Sequence, residues 1–173
     1  MTLRPVTLRP STRAVDHAVF GVDHPRPAVF EIDIDQSSIS EEVPHVNNIE
    51  YLRWFDRAAE LHGDAVGYPR EALLEHDCMW FVARHEVDYQ AEAWPDDDLR
   101  LITWVRDMRR VKSWRDAVVV RESDATIIAR ASTLWVLVNL TSRRPMRVPM
   151  TMAAAFEPLD RLAEQSVEPP ACT

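Results

Sequence analysis

Glu41 and His45 stand just before the run Asn47-Asn48-Ile49-Glu50-Tyr51-Leu52-Arg53-Trp54-Phe55, which has the pattern of a helix start. A carboxylate can draw a proton from water or attack a carbonyl carbon itself, and an imidazole can orient the reacting group or relay a proton. The first-turn N–H groups of a helix are unpaired within it and carry partial positive charge, so a carbonyl oxygen placed there is stabilised as it gains negative charge. Acid/base chemistry on a polarised carbonyl follows. Glu42 is the competing carboxylate, one residue along. Each residue also has a purely structural reading. An acid before a helix suits its dipole, a histidine can simply bond to backbone, and an Asn at the helix boundary caps it.

The elements that must position these groups are legible from periodicity. Ile49, Leu52, Phe55 and Ala59 recur at helical spacing, broadened by Tyr51 and Ala58, while Glu50, Arg53, Asp56, Arg57 and Glu60 fall mostly elsewhere. The spacing predicts a helix over 48–62, capped by Asn47 or Asn48 and stopped by Gly63. Beyond it the period becomes two, giving strands over 79–90, 99–107, 113–122 and 127–140. Trp94-Pro95-Asp96-Asp97-Asp98, Arg109-Arg110-Val111-Lys112 and Ser123-Asp124-Ala125 separate them, which reads as a four-stranded antiparallel meander. An earlier strand over 28–35 completes the sheet, and short helices are expected over 70–75 and 152–165. The class is α+β, with about five antiparallel strands and one long helix. Residues 1–25 read as an N-terminal arm, 26–150 as a single domain and 151–173 as a tail.

Composition narrows the function classes. A chain of 173 residues that is 46% hydrophobic, with six Trp, can build one core. A net charge of −8 weighs against nucleic acid as a partner. Gly21, Gly63 and Gly67 are the only glycines, so there is no Gly-rich phosphate loop and no Gly-x-Ser-x-Gly elbow. His17, His24, His62, His76 and His85 lack ligand spacing, and Cys78 and Cys172 lie far apart, so no metal, no cofactor and no disulfide are expected. The first 25 residues are broken by Pro5, Pro10 and Pro25 and hold no continuous apolar run. Neither a secretory signal, a transit peptide nor a membrane span is expected there, and cytoplasmic residence is the default.

The run from His45 to Trp54 resembles the start of the long helix in hotdog-fold thioesterases, the acyl-CoA and plant-type acyl carrier protein (ACP) thioesterases. Arg53, Trp54, Phe55 and Asp56 are also similar to the 4-hydroxybenzoyl-CoA thioesterase branch. Trp80, Arg84, Tyr89, Thr103, Trp104, Arg115, Ala131, Ser132, Trp135, Val136 and the run from Arg144 to Pro149 fall in the order of the plant-type strands, so the resemblance spans about residues 28–150. It implies a hotdog fold, a curved antiparallel sheet wrapped round a central helix, and hydrolysis of an acyl thioester of coenzyme A or ACP without a cofactor. Glu41 takes the place of the catalytic carboxylate, as general base or nucleophile, although the family usually has Asp there. Pro44 and Val43 are further departures from its pattern.

By the same resemblance His45 orients the thioester or relays the proton to the leaving thiolate, Asn47 positions the carboxylate or water, the Asn48 N–H donates to the oxyanion, and Tyr51 contacts substrate. A related branch takes its carboxylate from the helix, which makes Asp56 and Glu60 second-choice bases. Two basic clusters, Arg106, Arg109, Arg110, Lys112 and Arg115, then Arg143, Arg144 and Arg147, can meet coenzyme A phosphates or acidic groups on ACP. Arg109, Arg110, Lys112 and Arg144 are assigned to substrate binding. A solvated hairpin tip and a charged sheet edge are the bland alternatives. Trp104, Trp114 and Trp135 supply more apolar surface than one helix covers, which points to a homodimer or homotetramer. The competing functions are a dehydratase or hydratase on the same fold, and a non-catalytic acyl-binding or biosynthetic partner module.

Overall fold

Helix α2, Asn48–Ala65, is the one long helix of the computed structural model, which describes residues 6–160. Its buried stripe of Tyr51, Trp54, Phe55 and Ala58 follows the helical repeat and packs on one face of a six-stranded antiparallel sheet. The strands are β1 Leu8–Pro10, β2 Ala28–Ile32, β3 Cys78–Tyr89, β4 Leu99–Arg109, β5 Lys112–Arg121 and β6 Thr126–Asn139, in the spatial order β1-β2-β4-β5-β6-β3. Leu99, Leu101, Ala117, Val119 and Ala129 meet α2, while the alternate residues Ile102, Trp104, Val118 and Val120 face the opposite side. This is the α+β class expected, with six strands rather than about five.

Three expectations are corrected. The helix does not stop at Gly63; it continues to Ala65, and the left-handed residue is Gly67 at φ 86°. Gly63 is instead a packing residue, since a Cβ there would stand 3.2 Å from the Tyr68 carbonyl oxygen. The four later strands do not form a simple meander, because β3 pairs with β6 at the far edge, with Cys78 opposite Asn139, and not with β4. Residues 90–98 therefore span the width of three strand spacings, ~14 Å, which nine extended residues reach easily. The helix expected over 152–165 begins earlier and stops earlier, as α4 Met150–Ala155 with Phe156 as its C-cap, while residues 161–165 of the expected span lie outside the described ones. Helix α3, Arg70–Glu75, falls where expected.

The N-terminal arm has a structural role that its composition did not announce. It adds β1 to the sheet edge and lays α1, His17–Phe20, over the face opposite α2, where Phe20 and Val22 cover Ile102, Trp104, Val118 and Val120. Arg100, buried, bonds the carbonyls of Arg13 and Ala14, and Arg130, half-buried, bonds that of Phe20, so guanidinium donors hold the arm by its backbone. Trp104 is thus covered from within the chain, which removes it from the apolar surface that argued for self-association. No helix among the described residues is long and apolar enough to cross a membrane.

Candidate active site

The segment before α2 is a narrow loop held by backbone bonds. Ser40 N–H donates to the His45 carbonyl at 3.0 Å, Asn47 N–H to the Ser38 carbonyl at 2.8 Å, and Ile39 bridges Val46. Val46 is buried and donates to the Ala93 carbonyl at 2.8 Å, which ties the loop to the body of the protein. Glu41, Glu42, Val43 and Pro44 form the exposed tip. The side chains of Glu41 and His45 share the loop without touching one another among the described residues. Glu41 is open to solvent and lines no described cavity.

His45 is better defined. Its Nδ1 lies 3.1 Å from the Val43 carbonyl, an acceptor only, so in the neutral ring the proton sits on Nδ1 and Nε2 presents a lone pair. Asn47 caps α2: its side-chain oxygen accepts from Ile49 N–H at 3.0 Å. The backbone N–H of Asn48, the first residue of the helix, makes no hydrogen bond within the described residues and is free to meet an anion. The Asn48 carbonyl accepts from the Tyr89 hydroxyl at 3.0 Å, which pins the end of edge strand β3 to the start of α2. Tyr51 is buried between the rings of Trp54 and Tyr89, and burial pushes its phenol upward; it is part of the core and lines no described cleft.

The two basic stretches come together in part. Val148 N–H donates to the Arg110 carbonyl at 2.7 Å, so the segment after β6 folds onto the β4–β5 turn, and Arg109, Arg110 and Arg147 line one groove. Arg109 is paired there with Asp107 and Asp160. Lys112 is exposed at the start of β5, and Arg144 is exposed on the turn after β6, outside the groove. Two members of the first cluster are otherwise engaged. Arg106 pairs with Asp116 and lies over the Trp114 ring at 5.2 Å, and Arg115 is buried. Strand alternation explains the second case, because Arg115 points to the α2 side while Lys112 stands at the open end of the strand.

A cleft of about 130 Å³ opens beside the second half of α2, and sequence reasoning did not foresee it. Asp56, Glu60 and Asp64 from the helix, Arg70 from α3, and Ser113, Arg115 and Trp135 from the sheet supply its polar wall. Partial desolvation first and Glu60 second push the Asp56 carboxyl above the ordinary carboxylate range. Glu60 is held by Arg57 at 2.9 Å and Arg70 at 3.6 Å. His62, behind this wall, is pushed down to about 3, by burial first and the Arg115 charge second, and stays neutral. Only the spacing of Asp56 and Glu60, one helical turn apart, hinted at the cleft. Among the described residues no three His, Cys, Asp or Glu side chains are grouped as metal ligands.

Comparison with known proteins places this geometry. Residues 32–156 match the family model described as the thioesterase-like superfamily. A chloroplastic palmitoyl-acyl carrier protein thioesterase of Gossypium hirsutum is 27% identical over 130 residues, 75% of this chain and 31% of the relative. The chain thus spans about a third of the length of the curated relatives it matches. Among solved structures, a 1,4-dihydroxy-2-naphthoyl-CoA thioesterase from Synechocystis superposes with a TM-score of 0.70 at 18% identity, covering 78% of this chain and 98% of that one. A DHNA-CoA thioesterase from Staphylococcus aureus gives 0.71 at 15%, covering 82% and 95%. Fold and sequence agree that the chain belongs to the thioesterase-like superfamily, on the hotdog fold.

Proposed function

We propose that this protein hydrolyses acyl thioesters of coenzyme A or ACP, with Glu41 as the carboxylate that activates water or forms the acyl intermediate. One observation carries the reading. The loop 38–47 leads directly into α2, with Glu41 at its exposed tip and the Asn48 N–H unspent at the helix start, in a chain that matches the thioesterase-like superfamily over 32–156. The scissile carbonyl oxygen then sits at the helix start, where N–H donors and the helix dipole stabilise the charge that develops on attack. His45 Nε2 faces the departing thiol, and Asn47 holds the helix end in place. Arg110 and Arg147, with Arg109 and Lys112 at the rim and Arg144 nearby, meet the phosphates of the carrier. The chemistry uses no metal or redox cofactor.

The site closes on dimerisation. Glu41 is open to water in a single chain, and β3 presents a free edge of 12 residues with Phe81, Val82 and Tyr89 exposed on it. An unpaired edge of this length is a ready interface. Tyr89 joins that edge to the start of α2, so a second copy paired along β3 arrives next to the Glu41 loop and supplies the missing wall.

Asp56 is the second candidate base, because it lines the cleft and desolvation, then Glu60, push its carboxyl upward. Thiol release by Glu41→Gln and Asp56→Asn separates the two. A fall of about two to four orders of magnitude in kcat for Glu41→Gln, with Asp56→Asn within a few-fold of wild type, is the expected result. The reverse pattern moves the chemistry to the helix.

A further inference from the structure

Arg115 projects from β5 into the cleft wall and keeps 7% of its accessible surface. Its partners are uncharged: His62 Nδ1 at 3.0 Å, Thr103 Oγ1 at 3.4 Å, and the face of Phe156 at 5.9 Å. Burial alone bears on its charge, and no carboxylate among the described residues pairs with it. The other deeply buried arginine, Arg100 at 2%, is held by Glu122 at 2.6 Å. Arg121, less deeply placed, has both Asp97 and Asp124. Of the two arginines buried among the described residues, Arg100 thus has a carboxylate partner and Arg115, which borders the cleft, has none. A buried charge without a counter-ion is unfavourable, and a second cation cannot relieve it. His62, kept neutral, serves as an acceptor and adds no charge.

The rest of the wall suits an anion at the same place. The Trp135 indole N–H is buried and has no acceptor, and Ser113 adds a hydroxyl beside it. The acidic side chains belong to the helix side of the cleft: Asp64 is exposed, Glu60 is engaged by Arg57 and Arg70, and the Asp56 carboxyl is pushed upward by desolvation and Glu60, which favours its uncharged form. Positive charge is left on the sheet side.

We propose that this cleft is a specificity subsite in which Arg115 binds a carboxylate at the far end of the acyl group, so that the preferred substrates are thioesters of dicarboxylic acids. The proposal rests on the thioesterase reading for its substrate but on Arg115 for its chemistry. The guanidinium fork matches a carboxylate with two parallel bonds, which a hydroxyl or methyl terminus cannot return. Asp56 lies ~12 Å along the helix from Asn48, so the acyl chain needs length, and a cleft of about 130 Å³ takes only its end.

Calorimetry with coenzyme A thioethers, which resist hydrolysis, tests it directly in a series of chain lengths ending in either methyl or carboxylate. At the best length the carboxylate-ended ligand binds wild type at least about tenfold more tightly than its methyl-ended twin. The ratio falls to about one in Arg115→Met and to an intermediate value in Arg115→Lys. Circular dichroism establishes that each variant is folded; should Arg115→Met fail to fold, the wild-type and Arg115→Lys ratios decide. Equal or weaker binding of the carboxylate-ended ligand at every length, or a preference that survives Arg115→Met, overturns the subsite. Thiol release from the matching thioesters reads the chemistry separately. Carboxylate preference in binding with no hydrolysis by wild type upholds the subsite and removes the thioesterase reading.

Discussion

At the scale of single residues, the buried pair of His62 and Arg115 shows how one charge fixes the state of its neighbour. Burial and the guanidinium at 3.0 Å hold the His62 pKa at about 3, so the folded protein keeps this ring unprotonated. An unfolded histidine titrates near 6.5. Between those values the unfolded chain binds a proton that the folded chain does not, so this residue's contribution to stability is complete above about pH 6.5 and is lost as pH falls toward 3. The slope approaches ~1.4 kcal/mol per pH unit where the difference is one whole proton. His62→Gln keeps an acceptor for Arg115 and removes the titration. Urea midpoints measured at neutral and mildly acidic pH are expected to fall less on acidification in that variant than in wild type. A parallel fall in both would place the acid sensitivity elsewhere.

At the scale of elements, α2 begins where Asn47 caps it, and the same residue stands beside the proposed chemistry. Asn47→Ala is expected to cost about 1 kcal/mol of stability in urea melts, while Asn47→Ser, which can still accept from Ile49 N–H, costs a few tenths. If Asn47→Ser also retains kcat, capping accounts for the residue; if kcat falls while stability holds, Asn47 contacts the reaction.

The elements are also where the sequence was most and least informative. The helical spacing announced α2 and the change to period two announced β3 to β6, although the stripe read from Ile49, Leu52, Phe55 and Ala59 is displaced: Ile49 is exposed, and the buried face is Tyr51, Trp54, Phe55 and Ala58. The end of α2 was misread at Gly63, since a glycine that stops a helix and one that makes room for a neighbouring carbonyl look alike in one dimension. The pairing of β3 with β6 was invisible for a related reason: it is fixed by contacts far apart in the chain, while turn residues report only local reversals. Asn47 as the cap of α2 was legible from spacing, whereas the roles proposed for Glu41 and His45 rest on the resemblance. Arg115 was counted with its surface neighbours, because a basic run does not say which of its members faces inward.

At the scale of the whole molecule, the described residues leave edge strand β3 open, with Phe81, Val82 and Tyr89 exposed on it, and the loop that carries Glu41 uncovered. Sedimentation at micromolar concentration is expected to give a dimer or tetramer, and Phe81→Glu with Val82→Lys on the β3 edge is expected to shift it toward monomer with a loss of hydrolysis at least as large as the loss of dimer. A wild-type monomer would contradict the account of how the site closes. The account as a whole is tested most directly by free-thiol release from acyl-CoA and acyl-ACP, with wild type and Glu41→Ala measured side by side. It predicts hydrolysis of at least one carrier by wild type and a fall of at least about a hundredfold in the variant. Full activity in Glu41→Ala, or no release from either carrier by wild type, would contradict it.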